Sequence, residues 1–206
     1  MRTDSQSPYA RALGERLEEL HPRLRDYFSP LPDGHIGIGE GIFSRVGTPR
    51  RWLWPFLRPL HDRSVIYAGW QLSVPFRITN RLIAGRALSA RELLLPGQPW
   101  TMRDAVSLNP HGRLVDELGD PGVVAASFEI AVAEGALVLT SRAIGLRWGR
   151  LRVRVPRFYS PVVRLVESFD EIIDRQRVAV TIDVPLIGRV YEYSGDFTYR
   201  IEEASA

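Results

Sequence analysis

Two residue types are missing altogether: the chain has no cysteine and no lysine. Without cysteine it can hold no disulfide, no thiol nucleophile and no thiolate metal site. That absence fits a reducing compartment, so a cytoplasmic location is expected. Without lysine there is no Schiff base, no phosphate-loop lysine and no kinase-type lysine. All 27 basic residues are arginine, a usage that the codon bias of a high-GC genome explains. Long apolar runs are missing too. No stretch approaches the roughly 20 residues of a membrane-spanning helix, and the opening MRTDSQSPYAR has no apolar core of a secretory signal.

Catalytic signatures are equally scarce. The four histidines, His21, His35, His61 and His111, form no HxH or HExxH pattern, so no metal site is expected. There is no GxSxG elbow for a serine nucleophile. Gly37, Gly39 and Gly41 make GxGxG with no helix start behind it, which does not read as a dinucleotide fold. No cofactor is expected. The formal charge is only +3, with arginines spread along the chain, so nucleic acid is not an expected partner.

What is present is enough to enclose one core: 206 residues, 45% hydrophobic and 25% charged. A single domain over 1–206 is expected, with N-terminal helices in 1–30, a first strand in 35–48, a tryptophan-rich helical lid or plug in 49–62, and an antiparallel sheet in 63–202. Leu13, Leu17 and Leu20 recur at helical spacing behind Pro8, and Pro22 separates a second short helix. HIGIGEGIFSRV alternates isoleucine with glycine, a strand with one bare face that lets another group approach. VVAASFEIAVAEGALVLTSRAIGLRW reads as a hairpin turning at Glu134-Gly135. A second hairpin turns around Asp174. In LRVRVP, Leu151, Val153 and Val155 are expected to face inward. RVYEYSGDFTYRIEE is the clearest strand: Tyr191, Tyr193, Gly195, Phe197, Tyr199 and Ile201 share one face. The fold class is α+β, a curved antiparallel β-sheet or open β-barrel with N-terminal helices and a short Trp-rich helix covering one end.

RRWLWPFLRPLHDR, from Arg50 to Arg63, is unlike the rest of the chain. Pro55 suits the first turn of a helix, and Pro59 should kink or end it. Apolar groups lie nearly all round, so it reads as a core plug or a lid over a pocket rather than an interfacial helix with a polar face; membrane contact is the third reading. Aromatic residues on strand-like segments, with this lid, suggest a pocket. Candidate ligand contacts are Trp52, Trp54, Phe56, Tyr67, Trp70, Trp100, Tyr191 and Tyr193, with Arg77 to orient a polar group. The ordinary account of these aromatics is core packing. Asp104, Glu117 and Asp183 are the candidate acid–base residues, and Asp116 raises the same question. Their ordinary account is cross-strand ion pairing or turn bonding. Glu167 lies in phase with Val163, Leu165 and Phe169, and an inward carboxylate needs a partner such as Arg77.

Several of these segments also resemble a known family. RLVDELG (Arg113 to Gly119), the run from GLRWGRLRVRVP through RLVESFDE, and VTIDVPLIGRVYEYSGDF (Val180 to Phe197) resemble a bacterial family, the domain of unknown function DUF4166. The last stretch is similar to its closing pattern of a strand, Pro-Leu-x-Gly and Tyr-x-Gly. Similarity is fainter over Pro8 to Gly41. Glu117 matches the family's acidic position. The family tends to set Trp and Arg close together before a Phe, whereas Trp100 and Arg103 stand further apart here and Asp104 follows. The resemblance implies one intact domain and supplies no activity. Relatives fused behind saccharopine-dehydrogenase-like domains imply an oxidoreductase partner, but no NAD site for this chain.

Three functional readings remain open at this point. The first is binding of a hydrophobic small molecule in an aromatic-lined cavity. The second is a cofactor-independent cyclase or isomerase using the same pocket. The third is an interaction module beside an oxidoreductase. Exposed edge strands would permit a homodimer.

Overall fold

The computed structural model describes residues 6–148, 151–156 and 158–204; the first five residues of the opening segment lie outside them. Eleven antiparallel strands follow one another: β1 (His35–Gly47), β2 (Trp70–Ile83), β3 (Arg86–Leu93), β4 (Trp100–Leu108), β5 (Leu114–Leu118), β6 (Val124–Ala133), β7 (Ala136–Trp148), β8 (Leu151–Arg154), β9 (Val162–Asp170), β10 (Arg175–Val184) and β11 (Gly188–Glu203). The expected curved sheet is present, and it closes. β6, β5, β4, β3, β2, β1, β11, β10, β9 and β7 pair in that order, and β7 returns to β6. The result is a ten-stranded barrel, with β8 attached to the far half of β7.

Local chemistry sets the register. Ala84 and Gly85 between β2 and β3, and Glu134 and Gly135 between β6 and β7, all take positive φ. That is the pattern of a two-residue hairpin turn whose twist matches the strands. Between β9 and β10, Asp170 Oδ1 accepts from the backbone N–H groups of Ile172 and Ile173. Once the turns fix register, period-two alternation sends one side of every strand inward. Phe76 on β2 stands opposite Leu93 on β3, and Leu93 opposite Trp100 on β4. Across the barrel, Val180 on β10 stands opposite Tyr193 on β11. The bare face of β1 points inward. A Cβ on Gly41 would lie 2.1 Å from the Asp196 carbonyl oxygen, and one on Gly39 would lie 3.0 Å from the Phe197 ring. The missing side chains make room for the aromatic face of β11.

Both ends are covered. α1 (Pro8–Leu13), a 3-10 stretch (Gly14–Glu19) and α2 (Pro22–Phe28) close one end, each α-helix beginning at its proline. Leu13, Leu20, Leu24 and Phe28 are buried there against Leu114, Phe128, Leu137 and Leu139. At the other end a 3-10 turn (Arg51–Leu53) runs into α3 (Trp54–His61). Of the two outcomes expected at Pro59, a kink or an end, the helix end does not occur there. The helix continues through His61, and Asp62 N–H still reaches the Arg58 carbonyl at 2.9 Å.

The outer wall carries ion pairs: Glu40 with Arg77 and Arg200, Arg45 with Glu192, and Arg177 with Asp170 and Asp196. A barrel that spans a membrane instead shows an apolar band outside. Among the described residues, no helix is long and apolar enough to cross a membrane. β8 corrects one expectation. Leu151 and Val153 are exposed, because β8 pairs on one side only and extends the rim; Val155 alone of the three turns to the interior.

Candidate functional site

Ten strands enclose more room than the inward side chains fill. A cavity of ≈ 400 Å³ remains, bounded by Leu57 and Leu60 of α3 at one end and by Tyr9 of α1 at the other. Its walls are apolar: Met102, Val106, Leu118, Ala126, Ile144 and Val180 are typical. The floor is different. Arg91, Asp104 and Asp116 reach it from β3, β4 and β5, and Tyr193 reaches it from β11. A smaller pocket of ≈ 50 Å³ lies beyond, sharing Tyr9, Arg91 and Asp104 and adding Glu167, Asn80, Tyr27 and Tyr199.

This floor follows from the same alternation that builds the walls. Arg91 shares a face with Leu93, Asp104 with Met102 and Val106, and Asp116 with Leu114 and Leu118. Arg91 donates to Asp104 Oδ1, and both side chains are shut away from solvent. Glu167 is only 4% exposed; its Oε2 accepts from Gln176 Nε2 at 2.6 Å. Asp116 Oδ1 is buried with no hydrogen-bond partner among the described residues, and so is Ser89 Oγ.

Three buried carboxyls and one guanidinium cannot all be charged cheaply. Burial pushes the Glu167 carboxyl up to about 7, against the pull of Arg91 and of the Gln176 hydrogen bond. Burial, reinforced by the negative charge of Asp104, pushes the Asp116 carboxyl well above its ordinary value. Burial also raises Asp104, opposed by its Arg91 partner. Burial disfavours the Arg91 charge, but Asp104 and the surrounding tyrosines and Glu167 outweigh that and hold it protonated. Burial raises the Tyr193 hydroxyl to about 12 and raises Tyr9 and Tyr27 well above 10.0, so all three are neutral donors. The floor thus combines the Arg91–Asp104 pair with a Glu167 carboxyl that titrates near neutrality and an Asp116 carboxyl raised by burial.

The residues singled out from sequence are distributed as follows. Asp104, Tyr191 and Tyr193 border the cavity. Glu117 stands on the outer face, paired with Arg86. Asp183 is also outside, 2.8 Å from Arg189 Nε, because Val180, Ile182 and Val184 take the inner face. Arg77 is outside with Glu40, so it does not meet Glu167; Arg91 supplies the inward cation. Trp52 and Phe56 point into solvent, and Leu57 and Leu60 take the cavity side of α3. Trp54 anchors α3 by donating from Nε1 to the Thr48 carbonyl at 3.1 Å. Trp100 donates to the His61 carbonyl at 3.2 Å and stacks on its ring. Tyr67 N–H donates to the Tyr191 hydroxyl. Trp70 pairs with Gly47 at the strand end, away from the cavity lining.

Arg91 and Tyr9 were not among the sequence candidates. Arg91 had a usable signal: it lies two residues from Leu93 in a strand where Ala87 and Leu93 face the core. Tyr9 had none, since a helix at a barrel end reveals its contacts only after closure.

The family model of the Domain of unknown function (DUF4166) matches residues 20–197. No curated protein and no solved structure matches the chain.

Proposed function

The chain belongs to the DUF4166 family, and we propose that its barrel binds a hydrophobic small molecule bearing one uncharged hydrogen-bond donor. The observation that carries this is the ≈ 400 Å³ apolar cavity ending on the unpartnered Asp116 Oδ1. A cavity of this size falls within the range of small-molecule sites. A buried acceptor without a partner costs about 1–3 kcal/mol, and a ligand hydroxyl or amine N–H would remove that penalty. The apolar body would then run along Val106, Ala126 and Ile144 toward Leu57 and Leu60. Arg91 is neutralised by Asp104 and so gives no bare cation for a carboxylate ligand.

The test combines native mass spectrometry of the purified protein, an organic-solvent extract of it, and titration with N-phenyl-naphthylamine, a neutral fluorescent amine. Ala126 is buried and lines the cavity, so Ala126→Phe places a ring in that space. Retained compound and probe fluorescence should both disappear in Ala126→Phe while the circular dichroism spectrum is kept. Probe binding of equal strength in wild type and Ala126→Phe would refute the reading.

A second reading shares the site. Asp104, Asp116 and Glu167 sit beside an apolar chamber with proton affinities raised by burial, which suits general acid–base work. An isomerisation balances without a cofactor: a protonated carboxyl gives its proton to one end of a double bond, and a carboxylate takes one from the adjacent allylic carbon. Turnover of the extracted compound with solvent deuterium incorporation, lost in Asp116→Asn, would establish it. Exchange-free recovery of the compound would leave a binding protein.

A further inference from the structure

Most of the large apolar side chains left in solvent lie toward one end of the barrel, although Ile83, Ile172 and Ile173 are exposed at the other. Trp52 and Phe56 on α3, Leu151 on β8, Phe158 and Tyr159 before β9, and Leu186 in the β10–β11 turn all lie at the α3 end of the barrel. They are tips rather than a plane: Phe56 is 72%, Phe158 73% and Leu186 97% exposed. The segments are neighbours around the end of the cavity that α3 bounds. Leu57 and Leu60 of α3 line the cavity together with Tyr159 and Pro161, and Arg50 approaches the β10–β11 turn at Gly188.

Arginine is concentrated in two stretches at the same end. From Ile144 to Arg164 the sequence holds six arginines and no Asp or Glu. From Arg50 to Arg63 it holds four arginines and one aspartate, and that Asp62 is paired with Arg58. Arg51, Arg154 and Arg164 are exposed and make no ion pair among the described residues. The opposite end is mixed: Glu15, Glu18, Glu19, Glu134, Glu171 and Asp174 stand there with Arg11, Arg16, Arg23 and Arg25, and Glu18 is paired with Arg25. Acidic partners are thus plentiful at the N-terminal helix end and scarce in the two arginine-rich stretches at the α3 end.

We propose that the α3 end of the barrel docks on an anionic lipid bilayer. Trp52, Phe56, Phe158 and Leu186 enter the interfacial layer, and the flanking arginines meet lipid phosphates. Separate protruding side chains insert readily between headgroups, whereas a protein partner needs a continuous complementary surface. Tryptophan and tyrosine favour the boundary between water and hydrocarbon. A cluster of basic residues beside such tips is the pattern that anionic leaflets attract. The surface stands independently of what the cavity holds. If it holds an apolar compound, the end of the cavity where the lining residues Leu146 and Tyr159 are exposed faces the bilayer.

The experiment is vesicle flotation of the full chain, with tryptophan emission recorded in parallel. One set of vesicles is phosphatidylcholine alone; the other is phosphatidylcholine mixed with phosphatidylglycerol. The protein should float with the anionic vesicles, shift its emission to the blue, and detach as salt rises. Phe56→Ser with Phe158→Ser and Leu186→Ser should weaken partition at least about tenfold, with an unchanged melting temperature because these side chains bury little. Arg154→Gln and Arg164→Gln should each weaken it about fivefold. Failure to float with anionic vesicles would overturn the proposal, as would flotation of the triple variant at wild-type strength. A wild-type dimer that the triple variant dissolves, with no flotation, would assign the face to a second copy of the chain and overturn it equally.

Discussion

Replacing Glu167 by Gln tests the floor of the barrel without changing its shape. The glutamine carbonyl can still accept the hydrogen bond from Gln176 Nε2. What is lost is the carboxyl's titration. In the unfolded chain a glutamate ionises near its ordinary 4.5; in the fold this one ionises at about 7. Between those pH values the native state holds a proton that the unfolded chain has released. Native stability therefore falls as pH rises through this window and levels off above it. At 1.36 kcal/mol per unit, the displacement from 4.5 to about 7 is worth about 3 kcal/mol. For a chain of this size that corresponds to roughly 6–12 °C in melting temperature. Urea unfolding of wild type and Glu167→Gln, followed across this window, reads the effect directly. The difference between the two should grow in favour of the glutamine variant by about 3 kcal/mol from pH 4.5 to above 7. Asp104 and Asp116 titrate in both proteins, so their contributions largely cancel in that difference. Parallel stability profiles would refute the account, showing that Glu167 is ionised in the native state at acidic pH.

Two further substitutions probe the frame. Arg91→Met leaves Asp104 buried without its cation, which should cost about 3–5 kcal/mol near neutral pH and less in acid, where Asp104 protonates; chemical denaturation at the two pH values checks this. Gly41→Ala forces a methyl to 2.1 Å from the Asp196 carbonyl and 2.5 Å from Phe197 Cβ. Neither atom is a flexible tip, so a loss of at least about 3 kcal/mol is expected in thermal or urea unfolding.

The strands were readable because their periodicity is local. Tyr191 to Ile201 alternates without interruption, and the turn residues at Glu134-Gly135 and Asp174 stand where the hairpins reverse. The inner face of a single strand was not readable when both faces carried plausible residues. Asp183 and Ile182 are adjacent, and only pairing with Val163 and Tyr191 places Ile182 inside. β8 misled for a related reason. Its alternation is real, but a strand paired on one edge at a rim has no core to face. The tryptophan-rich segment covers one end as expected. The cavity contacts fall to Leu57 and Leu60 instead of Trp52 and Phe56, a matter of helix phase after Pro55 that composition does not reveal. Asp104 was singled out from the chain, and its grouping with Arg91, Asp116 and Glu167 exists only after ten strands have closed.

The count of strands has a consequence of its own. Eight strands make a bore that side chains just fill, and diameter grows with each strand added. Ten therefore leave a hollow almost regardless of which residues point inward, and this chain divides that hollow between helix plugs, aromatic rings and open space. Hydrogen bonds around the whole circumference also prevent one strand from slipping to narrow the bore. Sequence change inside such a cylinder moves the empty volume along its axis more easily than it abolishes it. Relatives that keep the ten-strand ring can then differ in the length and chemistry of guest they admit while keeping nearly the same width.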